Sequence, residues 1–166
     1  MPKRVVNVLT VMLLLFSCFS SAEAVSVIYR AHCEGIGWQD WATDGETAGT
    51  TGQGRRLEAL NIRVSSGGIA YRAHVATSGW QDWLSDGQTT GTTGRSLQIE
   101  ALQIMLTDGL ENNYDVMYRV HCAEIGWLPW VANGQTSGTT GQGRRVEAVQ
   151  IMLVQKIKEN TKRKWR

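Results

Sequence analysis

The sequence predicts an all-β fold of three repeats around a pseudo-three-fold axis, β-prism-like, with a β-trefoil as the alternative. Three observations predict it. Residues 29–64 match 71–106 and 118–153 without a gap, and all three copies share fifteen of these 36 positions. Apolar and polar residues alternate with period two at the start of each copy, as a half-buried strand requires. Asp44-Gly45, Asp86-Gly87 and Asn133-Gly134 place hairpin-turn dipeptides at one equivalent point, where Gly supplies positive φ at no steric cost. A unit of about 40 residues buries too little surface to stand alone, so the three units close on one another. The prism is preferred because long first and last strands in each copy suit one sheet per repeat.

Taken in order, the chain opens with a basic pair, Lys3 and Arg4, and an apolar run over 5–16 interrupted by Asn7 and Thr10. Ala22-Glu23-Ala24 then gives a small-x-small pattern, so residues 1–24 read as a secretion signal cleaved after Ala24. A lipoprotein site at Cys18 is the rival, disfavoured by the bulk of Phe16. The apolar run is shorter than the roughly 20 residues a membrane span needs. The expected product is secreted, free or associated with a cell surface, with no span in the mature chain.

The single domain covers 25–154, with repeats at 27–64, 69–106 and 116–153. Its first strand, 27–33, sets Tyr29, Ala31 and Cys33 on one side and Arg30 and His32 on the other. Residues 37–43 form a second, Trp-rich strand. Gly-Thr-Thr-Gly at 49–52, 91–94 and 138–141 gives a tight loop or a short strand. The last strand, 57–64, puts Leu60, Ile62 and Val64 on one face. The basic tail, 155–166, holds six basic residues and one acid and is expected to be disordered. It reads either as a solvated terminus or as an attraction to anionic wall polymers or membrane surface.

Charge excludes one class of partner. The whole chain carries 17 Lys+Arg against 15 Asp+Glu, but 25–154 has 9 Arg, no Lys and 13 acids. A body of that sign is not a nucleic-acid-binding face. Catalysis finds no motif: there is no Gly-x-Ser-x-Gly elbow, His-Glu-x-x-His helix, Walker loop or dinucleotide fingerprint. Three near-copies of one site are the habit of a multivalent binder, so no enzyme and no cofactor is expected.

Parity assigns the tryptophans. On a regular strand Trp38 shares a face with apolar Ala42, and Trp41 shares one with polar Gln39 and Thr43. Trp38, Trp80 and Trp127 are therefore expected in the core, and Trp41, Trp83 and Trp130 on the ligand side. Asp40, Asp82, Asp44, Asp86, His32 and His74 are the candidate hydroxyl partners beside them. In the third copy Leu128-Pro129 replaces Gln-Asp and Asn133 replaces Asp, so that site is expected to be weak or silent. Arg30, Arg72 and Arg119 are expected to pair with Glu58, Glu100 and Glu147, which strict alternation would otherwise bury unpaired. A three-His zinc site from His32, His74 and His121 is disfavoured, because no acid stands in a fixed place beside them. Cys33 and Cys122 are an even pair in an oxidising compartment and permit one disulfide, against the plainer reading of two small buried hydrophobes.

Tyr-Arg-Ala-His, Gly-Trp-Gln-Asp-Trp, Asp-Gly-Gln-Thr-x-Gly-Thr-Thr-Gly and the Leu/Ile-Glu-Ala ending together resemble the clostridial hydrophobic-Trp (ChW) repeat. The resemblance covers residues 27–153. It implies an exported or surface-associated bacterial protein, built of repeats in threes, with attachment to polysaccharides or cell surfaces among the proposed roles. Two functions follow as expectations. The first is a non-catalytic, multivalent binding module for carbohydrate or cell-wall polysaccharide, since aromatic rings beside amides and carboxylates suit sugar faces and hydroxyls. The second is a structural or adhesion protein whose Trp-rich edges contact surface proteins.

Overall fold

Alternation along 27–33 directs Val27, Tyr29, Ala31 and Cys33 inward, and all four are fully buried in the computed structural model, which describes residues 24–157. All but the last residue of the secretion signal expected over 1–24, and the basic tail beyond Ile157, lie outside the described residues. The first repeat supplies β1 (Val27–Cys33), β2 (Gly37–Trp38), β3 (Ala42–Thr43), β4 (Ala48–Gly49) and β5 (Leu57–Val64). The second supplies β6 (Gly68–Val75), β7 (Gly79–Trp80), β8 (Leu84–Ser85), β9 (Thr89–Gly91) and β10 (Ile99–Thr107). After a 3₁₀ turn at Leu110–Asn112, the third supplies β11 (Tyr114–Cys122), β12 (Gly126–Trp127), β13 (Val131–Ala132), β14 (Ser137–Gly138) and β15 (Val146–Gln155). Among the described residues no helix is long and apolar enough to cross a membrane.

Among the described residues the sheets number three, one centred on each repeat, as the prism expectation requires. β1 carries β5 along one edge and β2 and β3 along the other, all antiparallel. β6 and β11 repeat that arrangement with their own partners. The short Gly-ending strand leaves home, however. β9 pairs with β5 of the first repeat, β14 with β10 of the second, and β4 with β15 of the third. Every sheet therefore has five strands, one of them lent by the next repeat, and the lending runs one way round a closed ring.

The inner faces enclose a single apolar cluster that draws on all three repeats, from Tyr29, Leu60 and Ile62 to Tyr118, Val149 and Ile151. Cys33, Cys122 and the equivalent Val75 are each fully buried in it. The disulfide that the even cysteine count permits is not formed: both thiols are free. β1 and β11 belong to different sheets, and each packs its own cysteine inward. Burial pushes each thiol up to about 11.

Two departures from regular strand geometry recur in every copy and shape the outer faces. Along β1, three steps from His32 to Tyr29 match four steps along the partner edge, from Trp38 to Ala42. The expected continuous strand over 37–43 is thus two short strands separated by an extra residue. On the other edge the pairing jumps from His32↔Ala59 to Cys33↔Leu57, which leaves Glu58 as the extra residue of a β-bulge. Glu100 and Glu147 occupy the same bulge in β10 and β15. An extra residue resets the two-residue period and re-aims side chains.

Candidate functional site

The extra residue between Trp38 and Ala42 brings both tryptophans of a repeat onto the same arginine. The guanidinium carbon of Arg30 lies over the rings of Trp38 and Trp41, at 4.7 and 4.6 Å from their centroids. Arg72 stands at 5.0 and 4.7 Å from Trp80 and Trp83, and Arg119 at 4.8 and 4.7 Å from Trp127 and Trp130. A cation shared between two indole faces contributes about 0.5–2 kcal/mol per contact and fixes the ring orientation. Trp38, Trp80 and Trp127 are half-buried on this arginine rather than in the core, which corrects the parity assignment. The error lies in treating 37–43 as one regular strand.

Beside each aromatic pair sits a histidine on a buried carboxylate. Nδ1 of His32, His74 and His121 lies 3.2 Å from Oε2 of Glu58, Glu100 and Glu147. Each imidazole also meets the first tryptophan edge-on, with centroids 5.4 Å apart. Arg56 Nε donates to Glu58 at 2.9 Å, Arg145 Nε to Glu147 at 3.0 Å, and Gln98 to Glu100 at 3.2 Å. The expected pairing of Arg30, Arg72 and Arg119 with these carboxylates is therefore replaced. The bulge carries each Glu to the histidine's side, and the arginine is left to the indoles. An acid does stand beside each histidine, contrary to expectation, but the three histidines lie on three separate sheets. Among the described residues no group of three or more His, Cys, Asp or Glu could hold a metal ion.

The candidate hydroxyl partners divide. Trp41 and Trp83 are 38% and 37% exposed, and Trp130 is half-buried. Asp40 and Asp82 are exposed at the tips next to them. Asp44 and Asp86 have carboxylate oxygens already engaged, accepting the Val27 N–H at 3.0 Å and the Val64 N–H at 2.7 Å. His32 and His74 are half-buried and held between carboxylate and indole. In the first repeat an open groove of about 710 Å³ runs past Ile36, Trp38, Asp40, Trp41, Glu46 and Thr47.

Sequence reading missed the role of Gln39 and Gln81. Gln39 Oε1 accepts the Gly49 N–H and Gln81 Oε1 the Gly91 N–H, each at 2.6 Å, which pins the departing strand. In the third copy Leu128 stands there and packs on the core instead. The signal for the other missed contact was present: a glutamate falling on the inner face in strict alternation announces a bulge, because an unpaired carboxylate would not be buried there.

The family model described as "Clostridial hydrophobic W" matches three times, at residues 32–66, 74–108 and 121–155. No curated protein matches the chain. No solved structure matches it either. Each family match runs from the site histidine, through both tryptophans and the lent strand, into the long closing strand. The three together span more than half of the sequence, and the chain belongs to the clostridial hydrophobic W family.

Proposed function

We propose that this protein is an exported, non-catalytic module that binds carbohydrate at a cell surface or in the surrounding matrix through several equivalent sites. The observation that carries the reading is the exposed, pre-oriented indole of Trp41 and Trp83, the first held by Arg30 and Arg63 and the second by Arg72, each bordered by a free carboxylate, Asp40 or Asp82. A ring already fixed loses little freedom on stacking against a sugar face, and the carboxylate accepts from hydroxyls. The third site lacks the carboxylate, since Pro129 occupies its place, and its indole is less exposed. The first two sites are the stronger pair, and linking them gives avidity.

A glycan array probed with the full chain tests this. Trp41→Ala and Trp83→Ala should each weaken binding, by roughly ten-fold for a lost stacking contact of about 1.4 kcal/mol, with circular dichroism unchanged. Absence of binding to every glycan and wall polysaccharide would refute the reading. One observation favours a protein partner as the second reading: Ile36 and Ile125 are each 47% exposed beside the first tryptophan of their repeats. Ile36→Ser and Ile125→Ser, which copy the second repeat's Ser78, should abolish surface-protein capture in that case and spare glycan binding.

A further inference from the structure

The outer face of the first sheet differs from the other two around its arginine. Arg72 Nε donates to Gln103 and Arg119 Nε to Gln150, each the cross-strand neighbour, at 2.8 Å. In the first sheet that neighbour is Asn61, one methylene shorter. Its amide N–H groups donate to the Gly87 carbonyl at 2.6 Å and the Thr89 hydroxyl at 3.3 Å, as Gln103 donates to Thr136 and Gln150 to Thr47, but its Oδ1 makes no bond to the arginine and is buried without a partner. The Arg30 Nε is thereby buried with no acceptor. A second substitution accompanies the first. Arg63 stands where the other copies have Met105 and Met152, with its guanidinium 4.8 Å from the Trp41 centroid. Trp41 therefore carries two cations, and Trp83 and Trp130 one each.

Neither Arg30 nor Arg63 has a carboxylate within 4.0 Å among the described residues. Asp86 is held by the Val64 N–H, and Asp40 and Glu46 line the groove, whose walls include neither arginine. Two unpaired guanidiniums around one ring, one of them with an unsatisfied N–H, are an anion-seeking arrangement.

We infer that the outer face of the first sheet is an oxyanion site, in which Arg30 and Arg63 receive a carboxylate or phosphate group beside Trp41. The edge of a guanidinium, Nε with one Nη, matches two oxygens of such a group in a fork. Gln103 and Gln150 supply the acceptor for that edge in the other two sheets; Asn61 leaves the Arg30 edge without one. The site goes beyond the carbohydrate reading and does not require it. A wall polymer bearing uronic carboxylates or phosphates would meet both sites at once.

The test converts the first face into the others with residues the fold already accommodates at equivalent positions, Asn61→Gln with Arg63→Met. The full chain is titrated with glucuronate and, separately, with inorganic phosphate at constant ionic strength, following the indole N–H signals by NMR. Saturable shifts confined to Trp41 and its neighbour Trp38, weakened roughly ten-fold or more in the double variant at unchanged Tm, are expected. The reciprocal variant, Gln103→Asn with Met105→Arg, should bring the response to Trp83. Preference between the two anions identifies the source of the group. Equal titration of Trp41 and Trp83 in the wild type, an unchanged double variant, or no saturation with either anion overturns the site. A glycan array without hits leaves this outcome untouched, so the two readings fail separately.

Discussion

At the residue scale the buried tyrosines join the repeats. The hydroxyl of Tyr71 donates to the Gln88 carbonyl of its own repeat and accepts the Ile62 N–H of the repeat before it. Tyr118 does the same with Gln135 and Ile104, and Tyr29 with Glu46 and Ile151. All three phenols are fully buried, and burial pushes each from 10.0 up to about 12. A folded value above the unfolded one means that the native state favours the neutral phenol. Its contribution is complete below the unfolded value and is lost as pH rises through the folded one. Thermal stability should therefore hold from neutral pH to about pH 10 and fall steeply towards pH 12, with each tyrosine withdrawing on the order of 3 kcal/mol. Melting temperature against pH, read together with tyrosinate absorbance in a Tyr114→Phe background that leaves only the three buried phenols, checks this; tyrosinate appearing well before unfolding would contradict it. Tyr71→Phe leaves the Ile62 N–H buried without its partner and should cost about 1–3 kcal/mol at neutral pH.

At the element scale the lent strands depend on one glycine each. Gly49, Gly91 and Gly138 have φ of 108°, 88° and 117°, and a Cβ there would overlap the carbonyl oxygen of Glu147, Glu58 or Glu100 on the receiving strand. The next residue's N–H, from Thr50, Thr92 or Thr139, donates to that same carbonyl at 2.8–2.9 Å. Gly91→Ala should therefore cost on the order of 3 kcal/mol or more, because both backbone and φ resist it. Gly94→Ala has open space and only a φ of 71° against it, so it should cost about 1–2 kcal/mol. Urea titration of the two variants separates them, and equal losses would mean that the close approach is unimportant. Strand identity and core membership were legible here, since Tyr29, Ala31, Leu60 and Ile62 follow period two and are all buried. The destination of β4, β9 and β14 was not, because alternation and turn dipeptides describe a strand's faces and never its neighbour. The Trp38–Trp41 relation and the Arg30–Glu58 pairing were misread for one reason: each spans an extra residue, and parity inverts there.

At the scale of the molecule, the strand exchange makes the ends of the domain meet. Asp44 N–H donates to the Val27 carbonyl and the adjacent Gly45 N–H to the Ile151 carbonyl, at 3.1 and 2.7 Å. The first strand and the last are thus held by consecutive amides. The seam between first and third repeats uses the same bonds as the other two: a tyrosine hydroxyl, a Gly N–H and a lent strand. A ring with three like seams has no privileged opening, so connectivity should be interchangeable while repeat number should not. A circular permutant that joins residue 155 to residue 25 through a short Gly/Ser linker, and opens in the exposed turn at Ser65-Ser66, keeps every sheet intact. It should unfold in one transition, with tryptophan fluorescence and circular dichroism coincident, as in the parent. A chain lacking residues 25–64 is the contrasting case. It removes β5, the receiver of β9, and β4, the donor to β15, leaving one lent strand unpaired and one long strand with a bare edge. That two-repeat chain should fail to fold as a monomer and recover sheet pairing only by associating, which sedimentation against concentration would reveal. A stable, monomeric two-repeat protein would show that each sheet stands on its own strands and that the exchange is incidental.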